Sequence, residues 1–185
     1  MNHPHAAPTL VAPVTPTDHF RGDAKAPVVV IEYGDFECSI CAAVAPAVKQ
    51  LCAIHPADMM FVFRHFPLED AHPHALMAAE AAEAAAAQQK FWPMHDLLMT
   101  KTAHLDRHHL DAYAEVIGLD VTRFKAELDD EIYRQRIREQ QAGARNSHLR
   151  ATPTFFVNGV VQDVSNGMEG LFELVAAEVK RLTSR

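Results

Sequence analysis

The chain has 185 residues, a formal net charge of -7 and 49% hydrophobic residues. This length fits one domain with room for an insertion, and the apolar fraction is large enough for a core, so disorder of the whole chain is excluded. Because a negative chain without a Lys/Arg cluster repels polyanions, we expect no nucleic-acid partner.

The first 27 residues are rich in proline and contain no basic segment followed by an apolar one of about 7–15 residues, so they do not resemble a signal peptide. We expect residues 1–16 to be a flexible Pro-rich leader. Such a start is typical of a cytoplasmic protein, although a secreted chain with a replaced signal would look the same and would be periplasmic. No stretch reaches the roughly 18 apolar residues of a membrane span, so we expect no stable membrane insertion.

A strand-helix-strand unit is predicted after the leader. The β-branched run from Val28 to Tyr33 predicts a buried strand, which Gly34 ends. Apolar residues at helical spacing from Cys41 to about residue 54 predict a helix, and Met59–His65 predicts the second strand.

Helical periodicity dominates the middle of the chain. The predicted helices cover residues 75–90, 94–100, 110–117, 121–128 and 130–145. Strand character returns at Thr154–Val157, where Asn158-Gly159 and the following Val160–Gln162 predict a hairpin, and a last helix is predicted over 168–182. We therefore expect an α/β fold in which residues 17–71 and 148–185 form one domain and residues 72–147 form an inserted helical domain.

Cys38 and Cys41 form a C-x-x-C sequence at the predicted strand-to-helix turn. Unpaired N–H groups at a helix N-terminus favour a thiolate and can lower a cysteine pKa from about 8.5 to about 3.5–7.5. We therefore expect Cys38 to be the attacking thiol and Cys41 to be the more buried residue that resolves a mixed disulfide. The alternative is a structural zinc site, whose second ligand pair would have to come from Cys52, His55 and His65.

Two further positions are informative. Glu32 lies within an apolar strand, where burial would raise its pKa and let it exchange a proton with Cys41. The alternative is that Glu32 is paired at a solvent-exposed sheet edge. Thr152-Pro153 directly precedes a predicted strand, and the local sequence does not decide whether this peptide bond is cis or trans.

Several sequence blocks resemble the DsbA-like branch of the thioredoxin superfamily. They are Glu32-Tyr33-Gly34-Asp35-Phe36-Glu37-Cys38, Arg64-His65-Phe66-Pro67-Leu68, His72-Pro73-His74-Ala75 and Thr152-Pro153-Thr154-Phe155-Phe156-Val157-Asn158-Gly159. The resemblance covers roughly residues 17–183. It implies a thioredoxin-like fold with an inserted helical domain, and thiol-disulfide exchange through the cysteine pair.

The resemblance also implies roles for single residues. Cys38 matches the exposed nucleophile, Cys41 the resolving cysteine and Glu32 the buried acid of the active site. Pro153 matches the cis-proline that faces the disulfide, and Thr152 offers backbone groups to an extended substrate. Further substrate contacts are expected from Phe36, Ser39 and Ile40, with Asp35, Phe36 and Glu37 forming the lip of the site. A negative Glu37 beside Cys38 opposes thiolate formation.

Ser39-Ile40 stands where family members commonly carry Pro and an aromatic residue or His, so we expect a reductant or an intermediate potential. Expected partners are protein or small-molecule thiols and disulfides and an unidentified redox-recycling partner. We expect a monomer and no metal or organic cofactor. Two alternatives stay open. A redox-inactive chaperone or binding module would bind clients after Cys38→Ser, and a glutathione-dependent isomerase or transferase would tolerate Cys41→Ser.

Overall fold

The computed structural model describes residues 9–10 and 12–184. Its strands are β1 His19–Gly22, β2 Val28–Gly34, β3 Met59–His65, β4 Thr154–Val157 and β5 Val160–Gln162. Its helices are α1 Ser39–Ile54, α2 Ala75–Ala86, α3 Phe91–Thr100, α4 Arg107–Val116, α5 Val121–Asp129, α6 Arg134–Asn146 and α7 Glu169–Thr183.

The described strands form one sheet in the order β1-β3-β2-β4-β5, so β2 is the central strand. Every residue of β3 is buried and six of the seven residues of β2 are buried, as their continuous apolar sequences predict. The antiparallel pairs are β1 with β3, β2 with β4, and β4 with β5.

The hairpin between β4 and β5 has the predicted turn. Asn158 and Gly159 have φ angles of 47° and 82°, and a type I′ turn needs this left-handed region at both central positions. Asn158 also fixes the turn to β2, because Val29 N–H donates to Asn158 Oδ1 at 2.9 Å. On the other side of the hairpin, Thr9 pairs with Val160, and Leu10 N–H donates to the Gly159 carbonyl at 3.0 Å.

The contacts divide the chain into two compact units. One comprises Met1–Tyr33, Ala47–Arg64 and Gly143–Arg185, and the other comprises Gly34–Pro46 and His65–Ala142. In the second unit, α2 packs against α3, α4 and α5. The domain boundaries expected from the sequence stay a prediction.

Arg64, at the end of β3, binds the segment that precedes β1. Its Nε and Nη2 donate to the two carboxylate oxygens of Asp18 at 2.9 and 2.8 Å. Its remaining N–H groups donate to the carbonyls of Ala12 and Pro13 and to the Tyr33 hydroxyl. All five guanidinium N–H groups are therefore used. The described part of the expected flexible leader is bonded to a buried side chain, whereas residues 1–8 and 11 lie outside the described residues.

The structure differs from the sequence-based prediction at several helix ends. Helix α2 ends at Ala86 rather than at residue 90. Helix α3 begins at Phe91, three residues earlier than predicted, because Pro93 is tolerated in a first turn whose N–H groups have no helical partner. Helix α6 begins at Arg134, because Glu131 has a φ of 53° and so interrupts the helical run. Strand β1 was not predicted. In the part of the chain that the structure describes, no helix is both long and apolar enough to cross a bilayer.

Candidate active site

The cysteine pair lies at the start of α1, as predicted. The first helical residue is Ser39, so Cys38 immediately precedes the helix and Cys41 lies in its first turn. The Cys38 carbonyl accepts the Ala42 N–H at 3.1 Å, which places Cys38 at the N-cap. No disulfide bond joins the two cysteines.

The two thiols differ in exposure in the expected order. Cys41 is fully buried, with 0% of its surface exposed, and Cys38 is 6% exposed. Cys38 is therefore not the exposed residue that the resemblance implies, because most of its surface is covered by protein. The exposed residues at the helix tip are Ser39 and Ile40, and the Ile40 side chain is left 59% exposed.

The loop before Cys38 is organised by Asp35. Because β2 and β3 are neighbours in the sheet and Phe66 N–H donates to the Gly34 carbonyl at 2.8 Å, the segments that follow these strands run side by side. The Asp35 side chain has no exposed surface. It accepts the N–H groups of Glu37 and Leu68, each at 2.8 Å. Its carbonyl accepts the Cys38 N–H at 3.2 Å.

Two histidines pair with the acids of this loop. His72 Nδ1 lies 2.8 Å from Asp35 Oδ2, and His74 Nδ1 lies 2.9 Å from Glu37 Oε1. Burial lowers the pKa of His72, but the hydrogen bond and charge of Asp35, followed by the charges of Cys38 and Glu37, raise it overall above its usual value. The Glu37 charge, which we expected to oppose the thiolate, therefore has an imidazole beside it.

Phe36 does not lie at the lip of the site, where it was expected to contact substrate. It is only 1% exposed. Its ring packs 5.7 Å from that of His65 and 5.6 Å from that of His95, so it belongs to the core of the helical unit.

The other predicted site residues belong to the unit that contains most of the sheet. Glu32 is 2% exposed on the central strand, opposite Phe155 of β4, so the alternative of a solvent-exposed sheet edge is wrong. Thr152 is buried and Pro153 is half-buried. The Thr152-Pro153 peptide bond is cis, the isomer that the resemblance implies.

The residues considered for a zinc site have other surroundings. His65 Nε2 lies 3.1 Å from Glu83 Oε1 in the helical unit, and Cys52 is half-buried on α1. Among residues 9–10 and 12–184, no group of three or more His, Cys, Asp or Glu side chains is arranged to hold a metal ion.

Comparison with known proteins identifies the family. A family model described as Thioredoxin matches residues 14–177. The chain belongs to this thioredoxin family. Oxidised BdbD from Bacillus subtilis superposes on this thioredoxin-family chain with a TM-score of 0.79 at 23% identity, covering 87% of this chain and 92% of that one. DsbA2 from Pseudomonas aeruginosa superposes with a TM-score of 0.70 at 26% identity, covering 92% and 97%. The expected DsbA-like thioredoxin fold is confirmed.

Curated relatives of this thioredoxin-family chain are much longer proteins. One, named Na(+)/H(+) antiporter NhaA 1, from Salinispora arenicola, is 46% identical over 169 residues, which are 91% of this chain but 26% of that protein. An Na(+)/H(+) antiporter NhaA from Herminiimonas arsenicoxydans is 44% identical over 151 residues, 81% of this chain and 24% of that protein. The chain thus spans about a quarter of the length of these relatives.

Sequence reasoning assigned no role to His72 and His74, although it used the block that contains them. The spacing of acids and histidines in the sequence nevertheless indicates this pairing. Acids stand on both sides of Phe36 and histidines on both sides of Pro73, and the two acid-histidine pairs have the same separation of 37 residues. Since the two segments follow neighbouring strands, equal separation places the pairs side by side.

Proposed function

We propose that the chain is a thiol-disulfide oxidoreductase that acts on protein or small-molecule thiols and disulfides. The observation that carries this proposal is the position of Cys38 at the N-cap of α1, with Cys41 in the first turn of the same helix. Backbone N–H groups at a helix N-terminus favour a negative sulfur, and the thiolate is the nucleophile in disulfide exchange.

The exchange proceeds in two steps through a mixed disulfide. The Cys38 thiolate attacks one sulfur of a substrate disulfide, whose S–S bond breaks, and the other substrate sulfur leaves as a thiolate and takes a proton. The Cys41 thiolate then attacks Sγ of Cys38, which forms the Cys38–Cys41 disulfide and releases the second substrate thiolate. Two electrons pass from the cysteine pair to the substrate. Oxidation of a substrate dithiol is the reverse sequence, and a dithiol or disulfide partner restores the pair.

Other residues support these steps. Ser39 and Ile40 are exposed at the helix tip, and the Ile40 side chain offers an apolar contact to a bound substrate. We assign Thr152 and Pro153 to substrate binding and Glu32 to proton exchange with Cys41. The burial of Glu32 agrees with that assignment, because a buried carboxyl is adapted to proton transfer. Phe36 is left out because it is in the core.

The first test is equilibration of the protein in graded glutathione and dithiol buffers, with free thiols trapped before mass analysis. A Cys52→Ser background removes the third thiol. We expect a reversible Cys38–Cys41 disulfide, with a potential between about -120 mV for a strong oxidant and about -270 mV for a cytosolic reductant. Absence of this disulfide at every buffer ratio, in protein that is folded, would overturn the proposal.

A second test traps the intermediate with oxidised glutathione. The Cys41→Ser variant is expected to accumulate a glutathione adduct on Cys38, whereas Cys38→Ser forms none on Cys41. Full turnover by Cys41→Ser would favour the glutathione-dependent alternative instead. Client binding that survives Cys38→Ser, without any disulfide exchange by the parent protein, would favour the chaperone or binding module.

The antiporter name of the curated relatives is not proposed for this chain, because it spans only about a quarter of their length. A cytoplasmic location and a monomeric state remain our predictions. The potential, and with it the physiological direction, is expected to be reducing or intermediate because Ser39-Ile40 lacks the His that strengthens an oxidant.

A further inference from the structure

His72 binds Asp35, in the loop that precedes Cys38, but has no role in the steps above. Its Nδ1 is 2.8 Å from Asp35 Oδ2, and because a carboxylate only accepts hydrogen bonds, Nδ1 carries the hydrogen and donates. Asp35 is itself held by the N–H groups of Glu37 and Leu68, each at 2.8 Å. The imidazole is thus oriented by a carboxylate that the backbone fixes.

Asp35 also joins His72 to the helix tip. The Asp35 carbonyl accepts the Cys38 N–H at 3.2 Å, so one residue holds both the imidazole and the residue that carries the attacking sulfur. Negative charge on Cys38 acts on His72 in the direction that raises the imidazole pKa. Coupling between two sites is reciprocal, so an imidazolium at His72 favours the Cys38 thiolate to the same extent.

The two carboxylates of this loop oppose a negative charge on Cys38 unless a positive charge lies beside them. Asp35 and Glu37 are both negative, and Glu37 is the chain neighbour of Cys38. Glu37 Oε2 accepts the His74 N–H at 2.7 Å, and its Oε1 lies 2.9 Å from His74 Nδ1. Each carboxylate therefore has one imidazole beside it.

We propose that His72 is a positioning residue whose imidazolium, held by Asp35, stabilises the Cys38 thiolate and so sets the fraction of the protein that is ready to attack. The proposal rests on the proposed function and names the group that tunes its nucleophile. The proton of Cys38 passes to solvent, and His72 forms no bond to substrate.

The test measures the thiolate of reduced protein in the Cys52→Ser background. The readouts are the ultraviolet absorbance of the thiolate and the iodoacetamide alkylation rate of Cys38, both against pH. An opposite charge nearby shifts a pKa by about 1–3 units, so His72→Gln is expected to lower the thiolate fraction about tenfold at a pH below the Cys38 pKa. The His72→Arg variant, which restores a positive charge, is expected to recover the parent fraction.

His109→Gln is the matched control. His109 is also paired with a carboxylate, at 2.6 Å from Asp106 Oδ2, but it lies on α4 and has no assigned role in the exchange. Its pH profile is expected to match that of the parent protein. Coincident profiles for His72→Gln and His109→Gln would overturn the proposal.

A second measurement leaves His72 in place. NMR titration of the His72 ring is expected to give a lower pKa in the Cys38→Ser protein than in the parent, because the thiolate charge is missing. An unchanged His72 titration would overturn the proposal even if His72→Gln failed to fold. Failure of the proposed function is distinguishable, since it shows as the absence of a Cys38–Cys41 disulfide in protein that carries His72.

Discussion

Replacing Asp18 tests whether the buried ion pair with Arg64 holds the N-terminal segment. The Asp18 and Arg64 side chains are only 5% and 4% exposed, and their closest N–O distance is 2.8 Å. Asp18→Asn preserves the shape but removes the charge that balances the guanidinium. Breaking a buried pair by removing one partner costs about 3–5 kcal/mol, because the other charge stays buried without compensation. This is a large share of the roughly 5–15 kcal/mol by which a typical domain is stable.

The assay is urea unfolding of Asp18→Asn at neutral pH, with Glu178→Gln as the control. Glu178 pairs with Arg181, three residues on in α7, but the Arg181 side chain is 54% exposed and water screens such a pair. Thermal unfolding of Asp18→Asn is expected to show a Tm roughly 10 °C lower, as the size of the domain implies. A urea midpoint for Asp18→Asn no lower than that of Glu178→Gln would refute the argument.

The pH dependence of this difference has a defined sign. Burial raises the pKa of Asp18, but hydrogen bonds from Arg64 and Thr15, together with the Arg64 charge, lower it overall below its usual 3.8. The stabilisation is therefore fully present above that usual value and is lost as the pH falls through the lowered one. The gap in unfolding free energy between the parent and Asp18→Asn is expected to narrow over this acidic range, and a constant gap would contradict the assignment.

Four further substitutions have expected outcomes. Gly22 has a φ of 88°, and a Cβ there would lie 2.0 Å from the Met59 carbonyl oxygen, so Gly22→Ala is expected to destabilise the protein by about 1–3 kcal/mol. Gly170→Ala, in α7 with no atom within 4 Å of the added Cβ, should instead stabilise by up to about 1 kcal/mol. The urea midpoint of Gly22→Ala is therefore expected below that of the parent protein and the midpoint of Gly170→Ala above it, and the opposite order would contradict both predictions. Lys90 Nζ donates to the carbonyls of Ile117 and Gly118 at the end of α4. Lys90→Met is therefore expected to lower the unfolding free energy by about 1 kcal/mol in urea. An unchanged urea midpoint would show that water replaces these bonds. In rapid-mixing experiments, Glu32→Gln should slow the attack of Cys41 on the mixed disulfide by about tenfold or more but leave the rate of the first attack by Cys38 unchanged. If Glu32→Gln and the parent protein resolve the mixed disulfide at the same rate, Glu32 has no part in the proton transfer.

Features set by local sequence were predicted well. The Asn158-Gly159 turn specifies a hairpin because few residues tolerate two successive left-handed positions. The continuous apolar run Met59–His65 gave β3 with its observed bounds. The place of Cys38 at the tip of α1 follows from the change of periodicity between a strand and a helix.

Features set by distant contacts were not predicted. The partners of Arg64 lie 31 to 52 residues away, and nothing near them in sequence shows that the segment from Ala12 to Asp18 is bound. Strand β1 is only four residues long and lacks β-branched residues, so its pairing with β3 determines it. Phe36 is only two residues from Cys38, which favours a place at the lip, but the packing of its ring on His65 and His95 decides its burial.

The pairing of Thr9 and Leu10 with the hairpin bears on self-association. Strand β5 is at the edge of the sheet, and its residue Val160 is 54% exposed. Uncovered edge strands present free N–H and C=O groups on which a strand of another molecule can assemble. Because Thr9 pairs with Val160 and Leu10 N–H donates to Gly159, the chain occupies part of this edge itself. The residues before β1 thus cover part of the β5 edge and oppose edge-to-edge aggregation. Their proline-rich sequence does not predict this role.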